Sequence, residues 1–131
     1  MDNQKEFKFT IPLQPITKKN SPQMITNPRT GKPMPIPSKQ YRKYHKDCKQ
    51  WLEIIRPEKA INQRINLKAI FYMGTRRKAD LTNLHQALHD ILVDYKIIED
   101  DNYTIVHSTD GSRVRYDKEF PHTEVTITFL D

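Results

Sequence analysis

The chain has 131 residues, a hydrophobic share of 36% and a net charge of +6. That is the length of one domain, residues 1–131, able to bury about two thirds of its unfolded surface around a single core. A lone cysteine, Cys48, excludes an internal disulfide framework; with no membrane-length apolar run and no signal-peptide core, the sequence reads as soluble and cytoplasmic.

Phe7, Phe9, Ile11 and Leu13 alternate with polar residues, which predicts a half-buried strand, with Pro12 marking an edge or bulge. Residues 14–38 are rich in proline and polar residues and carry Lys18, Lys19, Arg29 and Lys32. They read as a long basic loop, weakly structured, with a turn at Asn27–Lys32 that suits the tip of a small hairpin. Phosphate contact is the expected use of this loop.

From Ser38 to about Ile55 the spacing predicts a first helix. Tyr41, Tyr44, Cys48, Trp51, Leu52 and Ile55 form its apolar stripe, Ser38 its cap and Pro57 its stop. Ile65, Leu67, Ala69 and Phe71 alternate as a strand that leads to Gly74 and the triplet Arg76, Arg77, Lys78. A second helix follows over Asn83–Tyr95, with Leu84, Ala87, Leu88, Ile91, Leu92 and Tyr95 on one stripe and either Asp80 or Thr82 as N-cap. His85 and His89 point away from that stripe, and without a third ligand they suggest no zinc site. Residues 103–107 read as a strand, Asp110-Gly111-Ser112 as a turn, and Val125, Ile127 and Phe129 as the last strand. This order predicts an α+β fold: a mixed four- to five-stranded sheet with two main helices on one face.

Charge is divided unevenly. Residues 1–79 hold 18 Lys/Arg against 5 Asp/Glu, net +13, and residues 80–131 hold 4 against 11, net −7, together the stated +6. A basic body joined to an acidic segment suits a protein that grips a polyanion and places carboxylates against it. Asp80 precedes the second helix and Asp100-Asp101 follow it. Carboxylates among cations fit Mg²⁺ or Mn²⁺ acting on a phosphodiester, because these hard cations take oxygen ligands, polarise a phosphoryl oxygen and activate water. By spacing alone, a solvated acidic turn fits the same residues.

Residues 76–102, RRKADLTNLHQALHDILVDYKIIEDDN, resemble the signature of RusA-type Holliday junction resolvases, small endodeoxyribonucleases often carried by phages. The matching positions are Asp80, Thr82, Asn83, Leu84, Ala87, Asp90 and Asp100-Asp101, after the basic triplet. FTIPLQPITKKNS and SKQYRKYHKDCKQWL resemble the family's opening strand and first helix more faintly. The resemblance implies a homodimer that binds four-way DNA junctions and makes paired, symmetric nicks with Mg²⁺. It assigns Asp80 and Asp101 as metal-binding catalytic acids and Asp100 as the adjoining acid. Asp90, on a polar flank of the helix beside Ala87, fits either a metal ligand or supporting group, or a plain solvated or capping contact. Lys18, Lys19, Arg76, Arg77 and Lys78 are then expected to meet DNA phosphates. Two positions depart from the family pattern: Thr82 replaces a second acid, and Gln86 replaces a lysine. These departures leave a non-catalytic junction binder as an alternative, and a nuclease for flaps or forks as another.

Overall fold

A computed structural model describes residues 5–18 and 22–130. The elements are β1 (Glu6–Ile11), β2 (Gln23–Thr26), β3 (Pro33–Ile36), α1 (Lys39–Ile55), β4 (Ile65–Met73), α2 (Leu81–Asp94), β5 (Val106–Ser108), β6 (Arg113–Tyr116) and β7 (His122–Phe129). The central sheet has five strands in the order β1-β7-β4-β5, with β6 also paired to β4. β7 is antiparallel to both β1 and β4, whereas β5 and β6 run parallel to β4, so the sheet is mixed. The α+β expectation holds, including the strand number and the shared helix-covered face.

That face follows from alternation. Successive strand residues point to opposite sides, and in β4 Ile65, Leu67, Ala69 and Phe71 are buried while their neighbours are half-buried. The register sets Leu67 beside Ile127, Ala69 beside Val125 and Phe71 beside Thr123, and carries the same face to Phe9 and Ile11 of β1. These residues share one core with Tyr41, Tyr44, Cys48 and Leu52 of α1 and with Leu84, Ala87, Leu88, Ile91 and Leu92 of α2. Each fully buried Leu or Ile of α2 contributes about 1.5–3 kcal/mol of burial free energy. Burial also pushes the Cys48 thiol up to about 12, which makes it a core residue and no nucleophile.

Ser38 caps α1 by accepting the Tyr41 N–H at 3.1 Å. Trp51 departs from the expected stripe and is 37% exposed. Ten residues from Tyr41 rotate it about 80° off the buried line, at roughly 100° per residue. The helix α2 begins two residues earlier than expected, at Leu81. Its C-terminus turns through Lys96, whose φ of 62° is left-handed, with the Ile97 N–H bonding to the Leu92 carbonyl at 2.8 Å. Ile61 and Ile98 then form a parallel bridge, which returns the chain toward the sheet.

Three further expectations change. Residues 23–36 are more ordered than the loop expected over 14–38: they pair as a β2-β3 hairpin, and its tip is the Asn27–Lys32 turn, as the sequence suggested. The strand expected at 103–107 is confined to Val106–Ser108, because Asn102 holds the preceding residues in a turn: its side chain takes the Thr104 N–H at 2.9 Å and its carbonyl the Ile105 N–H at 3.0 Å. His85, on the flank of the stripe, lies against the sheet, and His89 packs beside it with ring centres 5.2 Å apart. His85 meets Phe71 edge-on at 5.3 Å, and neither of its ring nitrogens has a partner. Among the described residues no helix is long and apolar enough to cross a membrane.

Candidate active site

Asp80 is the N-cap of α2. Its φ of −91° and ψ of 114° are extended, and its Oδ1 accepts the Thr82 N–H at 2.9 Å. Of the two cap candidates, Asp80 fills the position and Thr82 is exposed in the first turn. The exposed carboxylate opens onto a cleft of about 730 Å³, lined among others by Gln14, Arg77, Lys78, Asp80, Asn83 and Lys118. The floor of that cleft is held by Gly74, whose N–H donates to the Gln14 side chain at 2.8 Å. A Cβ at Gly74 would lie 2.5 Å from Gln14 Oε1 and 2.8 Å from Pro121 Cγ, so only glycine lets these segments approach.

A second acidic group lies along the same helix. Lys18 Nζ contacts Asp90 Oδ2 at 2.8 Å. Asp101 stands close enough to feel both Asp90 and Asp100: burial first, then hydrogen bonding to Asp100, raise its carboxyl above the ordinary range, with the Asp90 and Asp100 charges adding to the rise. Asp100 is engaged locally, its Oδ1 accepting the Asp101 N–H at 2.7 Å and its Oδ2 the Asn102 amide at 2.9 Å.

Helical spacing connects the two ends. Asp80, Asn83, Ala87, Asp90 and Asp94 follow at intervals of 3, 4, 3 and 4 residues, which is one stripe of α2. The segment before residue 19 runs beside that stripe, with Thr17 lining the large cleft and Lys18 lining a smaller hollow of about 310 Å³ with Tyr41, His45 and Asp94. His45 Nε2 meets Asp94 at 2.8 Å, and the Tyr95 hydroxyl donates to the His45 carbonyl at 2.8 Å. Burial, followed by the Asp90 and Asp94 charges, raises the Tyr41 hydroxyl well above its usual value.

The structure therefore pairs Lys18 with Asp90, holds Asp100 and Asp101 in one turn, and sets Asp80, Asn83, Arg77 and Lys78 at the cleft. Asp80 and Asp90 are separated by ten residues of helix, roughly 15 Å along its axis. Among the described residues no group of three or more His, Cys, Asp or Glu side chains is placed to hold a metal ion. Gln86 is exposed on α2. Arg76 is exposed too, its guanidinium 4.0 Å from the centre of the Tyr116 ring. Lys19 lies outside the described residues. Reading the sequence missed Lys118 and Gln14, which reach the cleft only through the β6–β7 turn and the Gly74 contact. One signal was present for Lys118: it is among only four cations after residue 79.

The profile of the family Endodeoxyribonuclease RusA matches residues 12–128. The chain belongs to the RusA endodeoxyribonuclease family. The match runs from the end of β1 to the end of β7, so the resemblance read at residues 76–102 extends over nearly the whole domain. No curated protein matches this RusA-family chain. The cleft, the acids along α2 and Arg77 and Lys78, which form no ion pair among the described residues, lie on one side of this RusA-family domain. The carboxylates offer the oxygen donors that Mg²⁺ prefers, and Mg²⁺ needs only one or two of them alongside water and substrate phosphate. Burial and then hydrogen bonding to Asp100 raise Asp101, with the Asp90 and Asp100 charges adding; a bound cation would favour its ionised form.

Proposed function

We propose that this RusA-family protein is a Mg²⁺-dependent endodeoxyribonuclease that resolves Holliday junctions by paired, symmetric nicks, acting as a homodimer. The observation that carries this reading is the α2 stripe, with Asp80 at a cation-lined cleft and Asp90, paired to Lys18, further along the same helix face. Asp80 and Asp101 would hold the metal, with Asp100 and Asp90 in support. Because roughly 15 Å of helix separates Asp80 from Asp90 within one chain, Asp80 and Asp101 would meet at one cation across the two-fold axis of the homodimer. Mn²⁺ has the same donor preference. When bound, the metal supplies charge stabilisation at the phosphoryl oxygen and a more acidic water.

The chain's own residues do the rest. Arg77 and Lys78 take backbone phosphates at the mouth of the cleft, with Arg76 and Lys18 on either side, so binding is salt-dependent and largely independent of sequence. Lys18 neutralises Asp90, which lowers the repulsion between the acidic face and an approaching phosphate. Asp80 does two jobs, capping α2 with one carboxylate oxygen and leaving the other toward the cleft. Two sites related by a two-fold axis are what cutting two opposed strands requires.

A second reading, a junction binder without cleavage, draws support from Thr82 and Gln86 and from the lack of a three-acid cluster among the described residues of one chain. A nicking assay on a synthetic four-way junction with Mg²⁺ or Mn²⁺ separates the two. Cleavage supports the enzyme; binding without cleavage supports the binder. Flap and fork substrates in the same assay measure structural preference.

A further inference from the structure

After residue 79 the sequence is strongly acidic, yet three of its four cations fall within six residues: Arg113, Arg115 and Lys118, with Lys96 the fourth. The fold places them together on purpose-built backbone. β6 pairs in parallel with β4, setting Arg113 beside Ile70 and Arg115 beside Tyr72. Both arginines therefore share the sheet face opposite the helices, about 6.7 Å apart at strand rise, and both are exposed. Neither they nor Lys118 forms an ion pair among the described residues.

The strand is continuous with the cleft. Its last residue, Tyr116, pairs with Met73, which lines the cleft together with Lys118. The Arg76 guanidinium carbon sits over the Tyr116 ring, 4.0 Å from its centre, a cation–π contact that leaves its N–H groups able to donate. The turn after β6 is fixed: Asp117 N–H bonds to the Met73 carbonyl at 2.8 Å, and Asp117 Oδ1 accepts the N–H groups of Glu119 and Phe120 at 3.1 and 3.0 Å. His122 is sandwiched between Tyr72 and Phe120, with ring centres at 4.2 and 4.5 Å. Two nearby acids are thereby occupied, Asp117 by backbone amides and Glu124 by His122 at 3.1 Å. Asp110 and Glu119 remain exposed beside the strand.

Resting on the junction-nuclease reading, we propose that β6 is a track for the DNA arm leaving the cleft, with Arg113 and Arg115 binding phosphates of one strand and Arg76 and Lys118 bridging the track to the cleft. Edge strands normally invite pairing with another chain and are blunted by charge; here the blunting charges also complement a polyanion. Arg113 lies three residues, about 10 Å, before the cleft end of β6. That distance corresponds to about three base-pair steps of 3.4 Å measured along the axis of a DNA duplex.

The test compares the parent with Arg113→Gln/Arg115→Gln for metal-free binding to a labelled four-way junction across a salt series, after thermal melting confirms that both fold. A control, Lys46→Gln/Lys49→Gln on the outer face of α1, removes the same charge elsewhere. Loss of two phosphate contacts lowers the slope of log affinity against log salt by about 1.8, and affinity at 0.1 M salt by more than about tenfold. Arg113→Lys/Arg115→Lys restores most of it. Methylphosphonate linkages two to four nucleotides from the nick weaken the parent and leave the glutamine variant unchanged. An unchanged slope in the β6 variant, or an equal loss in the control, overturns the track while leaving the nuclease reading intact. A parent that binds no junction DNA removes both.

Discussion

Lys18 and Asp90, 72 positions apart in the chain, meet at 2.8 Å and join the N-terminal segment to the middle of α2. The contact sits between the cleft that holds Asp80 and the hollow that holds Asp94. Both side chains keep about a third of their surface exposed, 38% and 32%, so solvent screens much of the attraction. Lys18→Met is therefore expected to cost less than about 1 kcal/mol, a shift in Tm below about 5 °C. Its effect on junction binding is larger in proportion, since it removes a cation and uncovers an acid on the face proposed to meet DNA. Scanning calorimetry and anisotropy on the same preparation check the pair of outcomes. A drop in Tm above 10 °C would mean the pair is structural.

Gly74→Ala tests the packing under the cleft. The new methyl would collide with the Gln14 amide and the Pro121 ring. Overpacking of this kind costs typically about 1–3 kcal/mol. The Gln14 side chain must also leave its bond to the residue 74 N–H, which lets the N-terminal segment drift from the cleft. A lower denaturant midpoint with an unchanged m-value is the expected result.

His85 predicts an acid weakness. Burial, with a smaller contribution from the neighbouring His89, lowers its pKa to about 4. The unfolded chain has an ordinary histidine near 6.5 and so binds more protons between these values. Stability is complete above about pH 6.5 and declines as pH falls from there toward about 4, by on the order of 1–3 kcal/mol. Denaturant titrations at pH 7.5 and pH 5 measure the loss. His85→Leu is expected to reduce it, and an equal loss in that variant would assign the acid sensitivity elsewhere.

The sequence carried the large elements plainly. The i, i+3, i+4 stripes of α1 and α2 and the strict alternation of β1, β4 and β7 each serve one buried face, and burial is what periodicity records. The strand β6 was invisible for the same reason: Arg113, Val114, Arg115 and Tyr116 are all exposed, and only pairing with β4 makes them a strand. Prolines in Pro33–Ile36 disguised β3, which tolerates them in a two-stranded hairpin. His85 looked peripheral on a helical wheel, which cannot know that Phe71 covers that flank. The acids and the basic triplet were legible as chemistry. The approach of Asp101 to Asp90 depends on the reversal at Lys96 and the Ile61–Ile98 bridge, and the Lys18 contact on a loop closing over 72 residues.

Asp80 combines capping with its proposed catalytic role, and these can be separated. Asparagine caps helices as well as aspartate, whereas alanine costs about 1 kcal/mol. Asp80→Asn should therefore keep the parent's Tm and Asp80→Ala should lose a few degrees, while both lose cleavage. Retained cleavage in Asp80→Asn would reduce Asp80 to a cap.

Asp80 and Asp101 are proposed to serve one cleavage reaction in this RusA-family protein. The direct measurement is Mg²⁺-dependent nicking of a four-way junction by the parent, Asp80→Asn and Asp101→Asn, with metal-free binding to the same junction recorded alongside. Each variant is predicted to bind like the parent and to cut at least about 100-fold more slowly, the scale expected when several kcal/mol of charge stabilisation are removed. Cutting at the parent's rate by either variant would contradict the account.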